Sequence, residues 1–336
     1  MITPYPATLQ PQDWQGQLAG AISEPAALLQ ALQLPSHLLP AAERAAAIFP
    51  LRVTRHFLSL IRPGDEHDPL LRQVLPLGAE TLATPGYIDD PVGDHSARRG
   101  AGVLHKYRGR ALLITTGACA IHCRYCFRRN YPYAQDNAVR HWQAMLEQLR
   151  NMPDISEVIL SGGDPLSLSD NRLQELIGQL QDIPQLRRLR IHTRLPLVLP
   201  ARITPQLLDL LRSNRLRSSM VLHCNHPREL AAALEPGLLA LQQAGVALLN
   251  QSVLLAGVND DADTLCELSE RLFELHVLPY YLHLLDPVSG AAHFEVPLQT
   301  AASLQQTLRE RLPGYLVPRL VREIAGAPSK TPIQLL

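Results

Sequence analysis

Lysine is nearly missing from this chain: of 31 basic side chains, only Lys106 and Lys330 are lysines. Asp and Glu also total 31, so the formal net charge is +0. That balance gives no reason to expect nucleic acid or an anionic membrane as the main partner. Long apolar runs are missing too, and no stretch reaches the ~18 residues that would cross a bilayer. The opening "MITPYPATLQPQDW" has neither the basic start nor the apolar core of a secretory signal. Cysteine is sparse, and three of the five residues crowd into one stretch, which is not how a secreted disulfide framework is spaced. These absences predict a soluble protein of the reducing cytoplasm. They also make each lysine conspicuous, because any chemistry that needs an amine must use one of them.

What is present suits a globular enzyme. A chain of 336 residues with 46% hydrophobic content can bury one large barrel or two medium domains. Residues 1 to 100 carry helical spacing in "PAALLQALQL" and "AAERAAAIFPLRVTRHFLSLI", interrupted by Pro25, Pro35, Pro40 and Pro50. The polar "ATPGYIDDPVGDHSARRG" then reads as a connector, and the region as a helical layer of unstated function. From residue 110 the pattern becomes regular. Short apolar runs at "ALLITT", "EVILSG", "LRRLRIHT", "SSMVLHC", "VALLNQSVLL" and "LPYYLHLL" alternate with amphipathic stretches. That alternation predicts βαβ units on a parallel sheet with right-handed crossovers. Full closure takes about eight units, so six predict an incomplete barrel.

In such folds the chemistry gathers after the strands' C-terminal ends. There the sequence places "SGGDP" after the second strand, "HTR" after the third and "HCNHP" after the fourth, with Asp286 after the sixth. After the first strand comes "TTGACAIHCRYCFRR", holding Cys119, Cys123 and Cys126. Three thiolates at C-x3-C-x2-C spacing can hold an iron–sulfur cubane and leave one iron open to a substrate. A zinc site completed by His122, Cys224 or Cys266 is the alternative reading of the same residues.

C-x3-C-x2-C with Tyr125 before the last cysteine resembles the radical S-adenosylmethionine (SAM) superfamily. Within it, "VLHKYRGRALL", "ILSGGDPLSLSD", "IHTRLPLVLPARIT", "HCNHPREL", "NQSVLLAGVND", "LPYYLHLLDPVSGAAHF" and "GYLVPRLVREIAGAPSKTPI" resemble the lysine 2,3-aminomutases in collinear order. The likeness is to the short bacterial form that supplies elongation factor P. It implies a partial (β/α)6 TIM-like barrel over residues 101–297, behind the N-terminal region 1–100. A short C-terminal segment, 298–336, would carry the lysine that holds pyridoxal 5′-phosphate (PLP).

The same resemblance implies a [4Fe-4S] cluster on the three cysteines, with the open iron binding SAM. Lys330 would form the Schiff base with PLP, and Lys106 and Arg110 would face its phosphate. Lys106 stands where arginine is usual. Arg128 would take the substrate carboxylate, and Asp286 and Glu323 its ε-ammonium, with Glu323 replacing a more usual aspartate. Gly162, Gly163, Asp164, His192, His223 and Gln251 would contact SAM.

The implied reaction is L-lysine to (R)-β-lysine. A 5′-deoxyadenosyl radical takes hydrogen from C3, and the amino group moves from C2 to C3. Flavodoxin or ferredoxin would supply the electron, and a separate ligase would attach the product to elongation factor P. The longer aminomutases carry a cysteine-containing C-terminal extension that helps bind zinc between subunits; no cysteine follows Cys266 here, so the resemblance implies no structural zinc and a monomer or small homo-oligomer. The alternatives are a glutamate 2,3-aminomutase and a PLP-independent radical SAM enzyme acting on RNA or protein.

Overall fold

The computed structural model describes residues 13–100, 102–133 and 141–333. The opening residues 1–12 and the last residues, 334–336, lie outside that set. The described strands form one sheet in sequence order, β1 to β9. The six anticipated strands are β2 (Arg110–Thr116), β3 (Glu157–Gly162), β4 (Arg188–Thr193), β5 (Arg217–Leu222), β6 (Ala247–Val253) and β7 (Leu278–His283). All six are parallel, and the sheet then continues beyond them. A further parallel strand, β8 (Arg319–Arg322), pairs with β7. Its two inner residues are buried between exposed arginines, so its apolar run is too short to read as a strand in the sequence. Antiparallel strands β1 (Val103–Tyr107) and β9 (Thr331–Pro332) border the array at its two edges. The C-terminal segment thus supplies both β8 and the edge strand that follows Lys330.

Helices cross between the parallel strands where the amphipathic stretches predict them. Several begin with a side-chain cap: Ser169 before Asp170–Gln181, Thr204 before Pro205–Arg212, and Asp261 before Ala262–Glu274. Their inner faces and the sheet share one large core, with Leu173, Ile177, Leu208 and Leu238 at or near zero exposure.

Several prolines of the N-terminal region act as helix starters. Pro25 opens Pro25–Ala31 and Pro40 sits in the first turn of Leu39–Ile48, where a missing N–H costs nothing. This layer packs on the cysteine loop. Arg124, 0% exposed, donates to both carboxylate oxygens of Glu80 at 2.9 and 2.6 Å and to the Phe49 carbonyl at 2.8 Å. Arg129 reaches the same Glu80 at 2.8 Å, and both guanidinium groups lie over the Phe49 ring. The His122 and Arg124 amides donate to the Arg52 and Gln73 carbonyls, each at 2.9 Å. The loop between the second and third cysteines is therefore pinned from outside the barrel.

Removing one member of a buried ion cluster leaves the others uncompensated, at a cost of about 3–5 kcal/mol. Glu80→Ala should lower stability by about that amount in chemical denaturation of the metal-free protein. A loss below about 1 kcal/mol would mean that the cluster does not hold the layer to the loop.

Candidate active site

A single cavity of about 470 Å³ runs along the inner face of the sheet, and every one of the fifteen candidate residues lines it. Three structural devices shape its wall.

The first is the close approach of the "SGGDP" turn to the cysteine loop. Gly162 has φ +115°, and a Cβ there would sit 2.7 Å from the Thr116 carbonyl oxygen. At Gly163 a Cβ would come within 2.4 Å of the Ala118 carbonyl oxygen. Only glycine allows both contacts. Asp164 is buried, and its carboxylate accepts from the Thr193 hydroxyl and from the Leu166, Arg194 and Leu195 amides. It thereby joins the turn after β3 to the end of β4, so its side chain is committed to the protein.

The second device is Arg194, the last residue of "HTR", which no local pattern marks. Its Nη1 donates to Cys123 Sγ at 2.8 Å and to the Tyr125 hydroxyl at 2.7 Å. Its Nη2 donates to Gln73 at 2.6 Å and to Glu229 at 2.8 Å. These four bonds fix the guanidinium against the sulfur and tie the end of β4 to the cysteine loop. Burial pushes the Cys126 thiol up to about 11, with Cys123 adding to the shift, so loading the site must expel protons. Cys224 and Cys266 do not line the cavity. Among the described residues no three metal-ligating side chains converge on a single-ion position. Three thiols spread along one loop suit a cluster that takes one thiolate per iron.

The third device is a row of alternating charge. Arg128 Nε donates to Asp94 Oδ2 at 2.6 Å. Asp94 Oδ1 lies 2.6 Å from Lys106 Nζ, which is 3.7 Å from Glu323 Oε1. Glu323 Oε2 takes Lys330 Nζ at 3.0 Å, and the Tyr107 hydroxyl also donates to Glu323. Burial alone would raise the Asp94 carboxyl, but Arg128 and Lys106 outweigh it and hold the group down at about 2. Glu323 is likewise lowered against the pull of burial, chiefly by Lys330. Asp94 lies in the segment read as a connector, and nothing local marks it.

Other groups remain unanswered. The Oδ1 atom of half-buried Asp286 is sealed from solvent without a partner among the described residues. Burial raises its carboxyl from 3.8 to about 7, although Lys330 draws it down. The Nε2 atoms of His192 and His283 are also sealed and unpartnered. Burial lowers both imidazoles and takes His223 down to about 3, so all three are neutral at pH 7. The ring Nε2 of His223 is 2.9 Å from the Gln251 amide nitrogen. His283 was not anticipated, though it ends the strand "LPYYLH". Arg110 rests over the Tyr107 ring at 4.7 Å with no ion pair among the described residues. Such orphaned groups are the expected lining of a cavity that takes polar ligands. The thiols, the neutral imidazoles, Arg110 and Lys330 fit a cluster, SAM and PLP respectively.

Comparison with known proteins agrees with this chemistry. The radical SAM superfamily model matches residues 113–223, from β2 through His223. The chain is 46% identical to the L-lysine 2,3-aminomutase of Escherichia coli K12, over 96% of this chain and 95% of that protein. It belongs to the lysine 2,3-aminomutase family. The Haemophilus influenzae enzyme of the same name is also 46% identical and covered over 97% of both chains. The longer enzyme from Clostridium subterminale is 33% identical, matching 96% of this chain and 77% of its own. The kinship is thus to the short bacterial form of an isomerase family, and radical SAM membership implies a [4Fe-4S] cluster and SAM. No helix among the described residues is long and apolar enough to cross a membrane.

The raised Asp286 carboxyl has a consequence for stability. Between pH 3.8 and about 7 the folded chain binds more protons than the unfolded chain, so stability falls as pH rises through that window. Asp286→Asn should remove the loss. Its gain over the parent should be larger at pH 8 than at pH 5, at most about 4 kcal/mol and less where water enters the cavity. Equal melting-temperature shifts at the two pH values would contradict an uncompensated Asp286 carboxylate.

Proposed function

We propose that the protein is a PLP-dependent L-lysine 2,3-aminomutase that makes (R)-β-lysine for the modification of elongation factor P. The carrying observation is that the three thiols, Lys330 and the unpartnered Asp286 carboxylate line one cavity. When bound, the reduced cluster and SAM supply a 5′-deoxyadenosyl radical, and PLP supplies an electron sink for nitrogen migration.

The chain's own residues bind, orient and exclude. Arg128, held by Asp94 and by the Ser161 hydroxyl at 3.0 Å, offers the rest of its fork to the substrate carboxylate beside Cys126. Asp286 receives the ε-ammonium, which relieves the energetic penalty of an ionised carboxylate without a partner. Glu323 is the second acid at that end, shared with Lys106 and Lys330. Lys330, held by Glu323 at 3.0 Å, supplies the amine that imine chemistry needs. His192, His223 and His283 stay neutral, so they hydrogen-bond to ligands without adding charge. An anionic side chain, as in glutamate, would meet Asp286 and Glu323 with like charge. A small one-electron donor is the expected redox partner, and a monomer or small homo-oligomer without structural zinc the expected assembly.

The test is anaerobic reconstitution with iron, sulfide, PLP and SAM, followed by reduction with L-lysine present and chiral separation of the products. β-Lysine with mainly the R configuration is expected, and Lys330→Ala should reduce turnover by at least about 100-fold. The KM for L-lysine should fall as pH rises through about 7, where Asp286 becomes ionised. Turnover of L-glutamate but not L-lysine would overturn the assignment. In cells, loss of this enzyme should remove a β-lysyl mass from elongation factor P.

A further inference from the structure

Arg194 directly follows β4 and is buried, and a guanidinium has five N–H bonds to place. Two run from Nη1, to Cys123 Sγ at 2.8 Å and to the Tyr125 hydroxyl at 2.7 Å. Two run from Nη2, to Gln73 Oε1 at 2.6 Å and to Glu229 Oε2 at 2.8 Å. The fifth, on Nε, is sealed from solvent without a partner among the described residues. Glu229 is buried as well, and its other oxygen accepts from Gln73 Nε2 and from the Asn225 and His226 amides. The Asn225 side chain in turn donates to the Tyr125 hydroxyl at 2.6 Å. The guanidinium cannot leave the sulfur without breaking several buried bonds.

We propose that Arg194 is a positioning residue that keeps a hydrogen bond on the Cys123 sulfur when the cluster is bound, and so makes the cluster easier to reduce. The proposal rests on the reading of the three cysteines as [4Fe-4S] ligands, and not on PLP or L-lysine. Reduction adds one electron from a one-electron donor, and no bond is made or broken. Hydrogen bonds to the sulfurs are among the levers that set a cluster's potential, because they stabilise the added negative charge. Burial strengthens the effect, since a cation held out of water is poorly screened. Glu229 is bonded to the other nitrogen of the fork, so the sulfur meets the cation directly and the counter-charge only beyond it.

The experiment is a reductive titration of the anaerobically reconstituted protein with titanium(III) citrate, followed by electron paramagnetic resonance in the absence of SAM, PLP and L-lysine. Removing Arg194 alone would leave Glu229 as an unpaired buried charge, so the test variant combines Arg194→Met with Glu229→Gln. It should move the reduction equilibrium at least about tenfold toward the oxidised cluster, about 59 mV for a one-electron couple. Iron and sulfide analysis of the same samples separates a change of potential from a change of occupancy. Lower occupancy with a potential unchanged from the parent would mean that Arg194 only ties β4 to the loop, and that result overturns the proposal. So does a shift toward the reduced cluster.

Should the double variant bind no cluster, the parent protein decides. With isotopically labelled arginine nitrogens, pulsed paramagnetic resonance of its reduced cluster should show coupling to a guanidinium nitrogen, and the absence of coupling overturns the proposal. If the parent itself binds no iron and sulfide, the cluster reading fails and this proposal falls with it. If the cluster forms but no β-lysine is made, the functional reading fails, and the potential still decides the role of Arg194.

Discussion

Arg128, Asp94, Lys106, Glu323 and Lys330 form a row of alternating charge across the cavity, each held by the next. Taking ions out of water is costly, and a row of alternating signs offsets much of that cost only while every member is present. The row contains three cations and two carboxylates, so its own charges do not cancel. Asp286 stands nearby with a sealed, unpartnered oxygen. The polarity of the site follows from this arrangement. One end presents the Arg128 guanidinium, and at the other Lys330 stands near the unpartnered Asp286 oxygen.

The row exists only because distant segments are held to one another. Asp94 comes from the connector, Arg128 from the cysteine loop, and Glu323 and Lys330 from the segment around β8 and β9. The N-terminal layer secures the middle of this arrangement through Glu80, Arg124 and Arg129, and Arg194 ties the end of β4 to Cys123. Buried ion pairs of this kind contribute little net stability compared with apolar packing, but they penalise any other placement of the loop. The region whose function the sequence left unstated is therefore the clamp that presents the three sulfurs.

Much of the fold was legible because its signals are local. β2 to β7 appear as apolar runs at regular intervals, and Ser169, Thr204 and Asp261 mark helix starts by their own chemistry. β8 was missed because only two of its residues are buried. The site divides in the same way. Cysteine spacing needs no partner to be read, and the rarity of lysine draws attention to Lys330. Asp94, Arg194 and Tyr107 escaped notice because each is defined by residues 34, 71 and 216 positions away. Lys106 stands out by its type, but its two carboxylate neighbours become visible only in the folded chain.

By itself, then, the sequence determined the order of strands and helices, the three-thiol loop and the pair of available amines, because periodicity, spacing and scarcity are properties of the chain. Tertiary structure decided which charges meet, which carboxylate is left without a partner and which imidazoles are neutral. Coulombic and desolvation energies depend on distance and burial in space, and neither is encoded by position along the chain.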